Sequence, residues 1–184
     1  MAYEVEMKFP VDDLTVLARR LEQLGATVGE AQSEVDVYFA HPARDFARSD
    51  EALRIRRKGR LSFVTYKGPK IDETTKTRRE IDLALPSQAG TAEAWTELFE
   101  GLGFRRVGEV RKSRRKAAVR RDRWQVEGSL DEVEGLGTFA ELELIAEEDQ
   151  IEPAKACIRS LAKELGLEQS ERRSYLELLL AGDR

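Results

Sequence analysis

The sequence predicts an α+β fold with mostly antiparallel strands and helices laid against their apolar faces. Three observations predict it. Strict apolar–polar alternation recurs in stretch after stretch, the connections between those stretches are short, and three amphipathic helical patterns lie among them. At 184 residues the chain fits one domain able to close its own core, and residues 1–184 are assigned to a single domain.

The opening run from Tyr3 to Phe9 puts Glu4, Glu6 and Lys8 on one face of a strand and Val5, Met7 and Phe9 on the other. Pro10 and Asp12-Asp13 then open a helix with Leu14, Leu17, Leu21 and Leu24 on one face, closed by Gly25. A second strand is marked by Val35 to Phe39, and His41 to Asp50 has loop composition. Ala52–Arg57 and Leu61–Lys67 flank Lys58-Gly59-Arg60 and read as a hairpin. Gly68 to Thr75 is polar and is expected to be mobile. Arg78 to Leu85 alternates, with Arg79, Ile81, Leu83 and Leu85 opposite Arg78, Glu80 and Asp82, until Pro86 ends it. A helix over about 92–102 stops at Gly103. Extended stretches follow near 104–121, 123–131 and 138–146, with Gly135-Leu136-Gly137 as a turn. Pro153 starts a helix to Leu165, and Tyr175 to Leu180 forms a short helical tail.

Charged residues make up 36% of the chain, above the roughly 25% of an average domain, yet the formal net charge is only -4. Density in both signs without a basic excess argues against a nucleic-acid binder and suits charges gathered around a small ionic ligand. The single Cys157 excludes an internal disulfide and a cysteine-built zinc site. No apolar run approaches membrane-spanning length and the first residues lack a signal-peptide pattern, so a cytoplasmic protein without membrane contact is expected.

Within the strands, one face repeatedly collects charge: Glu4, Glu6 and Lys8; Arg54 and Arg56; Lys67 with Thr65; Arg78 and Glu80; Lys112 and Arg114; Gln125, Glu127, Ser129 and Asp131; Glu141 and Glu143. Two arrangements explain this. An open antiparallel sheet would show ordinary ion pairs to water on its wet side. A closed sheet would turn the same face into a lumen. The shortage of Thr and Ser on that face, and enough strands for closure, favour the lumen. Arg and Lys there can hold polyphosphate oxygens, whereas the acids would repel them unless hard cations such as Mg²⁺ or Mn²⁺ stood between.

Glu4-x-Glu6-x-Lys8 resembles the signature of the CYTH superfamily, the triphosphate tunnel metalloenzymes, and the rest of the chain is similar to its class IV adenylyl cyclase-like branch. The matching segments are Asp36 to Phe39, Arg44-Asp45-Phe46, Asp50 to Arg56, Thr65 to Pro69, Lys76-Thr77-Arg78-x-Glu80, Leu130 to Glu143 and Ser174 to Leu179. The resemblance implies an eight-stranded antiparallel β-barrel, the triphosphate tunnel, with helices outside. It implies that Glu4, Glu6 and Glu141 hold divalent metal, Mg²⁺ or Mn²⁺, with Glu143 and Glu80 as further acidic ligands or supports. Lys8, Arg54, Arg56, Lys67, Lys112 and Arg114 would grip the triphosphate with Arg78 alongside, and Lys8 and Asp131 would serve the reacting end. One departure stands out: Ala117 occupies a position where members of the family often carry Tyr.

The implied activity is cyclisation of ATP to cyclic AMP and pyrophosphate. The alternative is hydrolysis of inorganic triphosphate, thiamine triphosphate or a nucleotide, and a third is a non-catalytic polyphosphate-binding module. A homodimer is expected from uncovered apolar faces and the Leu178-Leu179-Leu180 tail. His41 reads as a solvated loop residue, Cys157 as a small core residue, and Trp95 and Trp124 as packing residues, the latter near a tunnel mouth. Arg111 and Arg115 are expected on the outer face.

Overall fold

A computed structural model describes residues 2–182. Its strands are β1 (Ala2–Pro10), β2 (Gln32–Ala40), β3 (Ala52–Lys58), β4 (Leu61–Lys67), β5 (Glu80–Ala84), β6 (Arg105–Arg121), β7 (Trp124–Val133) and β8 (Gly137–Glu147). Its helices are α1 (Leu14–Gln23), α2 (Phe46–Ser49), α3 (Thr91–Gly101), α4 (Ile151–Glu164) and α5 (Tyr175–Gly182). All eight strands join one antiparallel sheet in the order β1-β8-β7-β6-β2-β3-β4-β5. The 17-residue β6 is long enough to pair with β2 along its first half and β7 along its second, so it carries the curl across the sheet.

The two edges meet. Glu4 and Arg78 exchange both backbone hydrogen bonds at 3.1 Å, and the Lys76 amide donates to the Glu6 carbonyl at 2.9 Å. The sheet is therefore a curled, nearly complete barrel closed by a narrow seam just ahead of β5, and the charged faces look into its bore.

Alternation assigns the other face to the helices. Val5, Phe9, Leu142 and Leu144 pack under Leu17 and Leu21 of α1 and Ile158 and Leu161 of α4. Phe39, Leu53 and Ile55 pack under Phe99 of α3. A third cluster lies on the bore side: Tyr38, Val110, Val133 and Phe139 share their faces with Asp36, Lys112, Asp131 and Glu141, and Tyr175 packs among them. The chain from Tyr175 into α5 thus stops one end of the bore. Gly108 permits this approach, since a Cβ there would come within 2.6 Å of the Leu176 side chain.

Several elements differ from expectation. The predicted loop 41–50 contains α2, because the Asp45 carboxylate accepts from the amides of Ala47 and Arg48 and caps a short helix. His41 is the half-exposed loop residue expected, its Nδ1 accepting from the amides of Ala43 and Arg44 at 3.0 Å. The polar run expected to be mobile is fastened by Asp72, which accepts from the Thr74 and Thr75 amides at 2.7 Å. In β5, Ile81 and Leu83 remain exposed at 36% and 59%, since no helix covers that part of the sheet among the described residues. Cys157 and Trp124 pack against the main core and Trp95 against Phe99. Arg111 is exposed and Arg115 half-buried.

Candidate active site

The bore holds a cavity of about 220 Å³, lined by every predicted site residue except Lys8 and Asp131. Strand geometry explains the convergence. Glu4 and Glu6 alternate on β1, and Glu143 stands directly opposite Glu6 on β8. One carboxylate oxygen from each of Glu4, Glu6 and Glu143 lies within 4.8 Å of the other two. Burial, reinforced by Glu4 and Glu6, pushes the Glu143 carboxyl well above its ordinary range, and burial also raises Glu4 against the pull of Lys67. Three acids held this closely form a hard-oxygen cradle that a divalent cation would neutralise, so the donor set fits Mg²⁺ or Mn²⁺.

The other two acids assigned to metal sit differently. Glu141 is ion-paired with Arg114 and lies 4.0 Å from Lys76. Burial works to raise its carboxyl, but Arg114, Lys76 and Lys8 hold it well below the usual range. Glu80 is bound by Lys67 at 2.6 Å and faces Arg54 at 4.0 Å. Lys67 also reaches Glu4 at 2.7 Å, and although burial opposes its charge, Glu4 and Glu80 raise the amine above its ordinary value.

Three of the bases converge on a residue without a role in the sequence reading. Asp36 receives Arg56 in a two-point pair, Lys112 at 2.9 Å and Arg54 at 3.4 Å. Despite burial, Arg54, Lys112 and Arg56 hold its carboxyl well below the usual range. Glu34, two residues earlier on the same face, adds contacts to Lys112 at 3.3 Å and Arg56 at 3.5 Å. Arg78 turns its guanidinium to the Gly68 carbonyl at 3.2 Å and lines the cavity from the seam. Lys76 comes with it, buried, its amine 2.6 Å from Glu6.

Lys8 and Asp131 lie at the stopped end, outside the cavity wall. Arg114 pairs with Asp131 at 2.6 and 2.5 Å, and the Tyr175 hydroxyl donates to Asp131 at 2.7 Å. The Lys8 amine donates to the Arg173 carbonyl and rests 4.1 Å from the Tyr175 ring centroid. Burial, then the nearby charge of Lys76, pulls it down to about 7. Ala117 is buried among the core residues under α1, on the helix side of β6, so the departure from the family pattern leaves the bore untouched.

Asp36, Lys76 and Tyr175 entered the sequence reading only inside matching segments or predicted elements, without a role, and Glu34 did not enter it. Alternation alone places Glu34 and Asp36 with Tyr38 on one face, and Lys76 two residues before Arg78 offers the same signal.

A search for relatives agrees with this geometry. The CYTH domain model matches residues 2–175. A protein of Methanocaldococcus jannaschii, provisionally named an adenylate cyclase, is 38% identical over 95% of this chain and 97% of its own. The structure of the PH1819 protein of Pyrococcus horikoshii OT3 superposes with a TM-score of 0.85 at 41% identity, covering 97% of this chain and 99% of that one. A Hippeastrum protein, provisionally an adenylyl cyclase and described as having a dominant triphosphatase activity, shares the fold at a TM-score of 0.68 and 22% identity, covering 99% and 96%. With the family model spanning nearly the whole chain and the curled sheet matching solved relatives, the protein belongs to the CYTH family.

Proposed function

We propose that this chain is a divalent-metal-dependent enzyme that binds the triphosphate of ATP inside the bore and forms cyclic AMP and pyrophosphate. The observation that carries the reading is the meeting of the Glu4, Glu6 and Glu143 cradle with Arg54, Arg56, Lys67, Lys112 and Arg114 in one cavity. Acids suited to a cation and bases suited to phosphate oxygens, gathered in one cavity, match the two halves of a metal-bound polyanion. The kinship with the Methanocaldococcus protein supports the cyclase assignment.

A bound Mg²⁺ or Mn²⁺ would neutralise phosphate charge and acidify the attacking hydroxyl. Glu4, Glu6 and Glu143 would hold it, with Glu80 and Glu141 setting the positions of Lys67 and Arg114. The bases fix the triphosphate in line and stabilise charge on the departing pyrophosphate, so the protein contributes orientation and electrostatics. Lys8 and Asp131 act from the stopped end, Asp131 by aiming Arg114.

Hydrolysis of inorganic triphosphate, thiamine triphosphate or a nucleotide is the second reading. It is favoured by a cavity whose polar walls suit phosphate throughout, and by the activity described for the Hippeastrum relative. We assign the whole activity to one domain, acting in the cytoplasm on a free triphosphate, with neither nucleic acid nor membrane involved; no helix among the described residues is long and apolar enough to cross a membrane. A homodimer would cover the exposed Ile81 and Leu83. Incubation with ATP and Mg²⁺ or Mn²⁺, followed by chromatography, tests the proposal. Cyclic AMP with pyrophosphate is expected. Phosphate released from inorganic triphosphate without cyclic AMP would select the hydrolase, and binding without turnover of either would leave a binding module.

A further inference from the structure

The outer edge of β1 is covered by two separate pieces of chain laid end to end. Glu4 and Glu6 pair with Arg78 and Lys76, and two residues further along the same edge the Lys8 carbonyl accepts from the Glu171 amide at 2.7 Å. Few amide bonds hold either piece, and the part of the bore wall that carries Lys76 and Arg78 belongs to none of β1–β8. Segments held so lightly open locally at small cost unless something else fastens them.

The turn from Ile71 to Thr77 leads into the first piece and is closed by the Ile71 amide, which donates to the Thr77 carbonyl at 2.9 Å. Asp72 organises it. Besides the amides of Thr74 and Thr75, its carboxylate accepts the Thr75 hydroxyl at 2.6 Å, and that oxygen lies 2.6 Å from the Thr77 hydroxyl. Although burial opposes the charge, the hydroxyl and amide of Thr75 hold the Asp72 carboxyl below its ordinary range. Three cations outside the bore then fasten the turn. Arg172 donates to the Asp72 carbonyl at 2.8 Å, Arg159 donates to the Thr74 hydroxyl at 2.7 Å, and the buried Lys155 amine lies 3.8 Å from the Asp72 carboxylate. Lys155 and Arg159 stand one turn apart on α4, which packs on the outer face of β1. Arg172 directly follows the residue that pairs with Lys8. Each support of the turn therefore traces back to the strand that carries Glu4 and Glu6.

We infer that Asp72, fastened by Arg159 and Arg172, is a positioning residue that sets Lys76 and Arg78 in the bore wall without itself touching the ligand. This rests on the reading of the bore as a triphosphate site. The fastening serves the phosphate and not the cation. Glu4, Glu6 and Glu143 keep their register through the β1–β8 ladder whatever the turn does. Lys76 and Arg78, in contrast, reach the cavity from the end of the turn, while Asp72, Arg159 and Arg172 form no part of its lining. A chain with a loosened turn should still take up metal but grip a polyphosphate poorly.

Arg159 and Arg172 are exposed, so the double variant Arg159→Ala/Arg172→Ala spares the core, and Arg172→Lys keeps a donor for the Asp72 carbonyl. Three quantities are measured on the intact protein, on these variants and on Asp72→Ala: Mn²⁺ affinity, tripolyphosphate affinity with Mg²⁺ by calorimetry, and the rate of trypsin cleavage after Lys76 by mass spectrometry. Asp72→Ala and the double variant should bind tripolyphosphate about 10-fold more weakly, as when only about a tenth of the molecules hold the turn in place. Cleavage after Lys76 should speed up in both, since it tracks the opened fraction. Mn²⁺ should bind both no more weakly than the parent, and Arg172→Lys should behave as the parent throughout. Unchanged tripolyphosphate affinity in both variants, or Mn²⁺ and tripolyphosphate affinities falling together, would overturn the inference while leaving the bore assignment standing. An intact protein that binds no tripolyphosphate would instead overturn the proposed function.

Discussion

Asp36 and Arg56 stand opposite each other on β2 and β3 and close a two-point ion pair, Oδ1 to Nε at 2.7 Å and Oδ2 to Nη2 at 2.8 Å. The same carboxylate also draws in Lys112 and Arg54, so one buried acid keeps three cations in place without ligand.

Asp36→Asn should therefore leave three crowded cations around a neutral side chain, with only the longer contacts to Glu34 and Glu80 left to offset their charge. Breaking a buried pair from one side costs about 3–5 kcal/mol, and urea unfolding should show a loss of that size. Tripolyphosphate should restore stability to the variant, because a polyanion supplies the missing negative charge. A variant as stable as the parent would refute this role.

Arg56→Ala removes a charge-assisted contact to phosphate but leaves Arg54 and Lys112 on Asp36. Tripolyphosphate affinity should fall by about 10–100-fold, the equivalent of roughly 1.4–2.8 kcal/mol, measured at fixed ionic strength. An unchanged affinity would remove Arg56 from the phosphate site.

The cradle of acids makes a signed prediction about pH. Folding raises the Glu143 and Glu4 carboxyls above their unfolded values. Such groups bind more protons when folded, so stability is full below the ordinary carboxylate range and is lost as pH rises through the raised values. Urea midpoints in EDTA should decline with rising pH in that window, Glu143→Gln should flatten the decline, and Mg²⁺ should oppose it. A metal-free protein that gains stability over the same window would contradict the arrangement.

Glu6→Gln should abolish catalysis and keep the fold, since the Glu6 carbonyl still pairs with the Lys76 amide, at a cost in stability because the buried Lys76 amine loses its carboxylate partner. The midpoint of a Mn²⁺ titration, followed by binding, should move up by more than the roughly 10–100-fold that loss of a mere supporting group costs a metal site. Full activity in this variant would take Glu6 out of the cradle.

Tyr175→Phe keeps the ring beside Lys8 and deletes only the hydroxyl that donates to Asp131. The loss should be about 1–3 kcal/mol, the cost of leaving a charged buried acceptor short of a donor. Denaturation curves identical to those of the parent would show that the bond carries nothing.

Period-two alternation made the bore legible in the sequence because a closed sheet obeys the same rule as an open one, and only the density of charge distinguished them. Glu4, Glu6 and Glu143 could be placed on one side that way. Which acids would stand together and which would be held by bases could not, since that depends on cross-strand register: Glu143 opposite Glu6, but Glu141 opposite Lys8. Asp36 was given no role for a similar reason, as its importance lies in what faces it from β3 and β6. The anchored run before Lys76 looked loose because Asp72 satisfies backbone amides locally, a bond that composition does not reveal. Lys8 shares a strand face with Glu6, yet the tail folding back over it takes it out of the open cavity.

Glu4 and Glu6 each do two jobs at the seam: their side chains help form the acidic cradle while their peptide groups stitch β1 to the segment carrying Lys76 and Arg78. Unzipping those few amide bonds would free Lys76 and Arg78 from the bore wall, while the β1–β8 ladder keeps both carboxylates in register with Glu143. Closure of the barrel therefore rests on a handful of peptide groups, and amide exchange at Glu4, Lys76 and Arg78 becomes a direct gauge of whether the seam is shut.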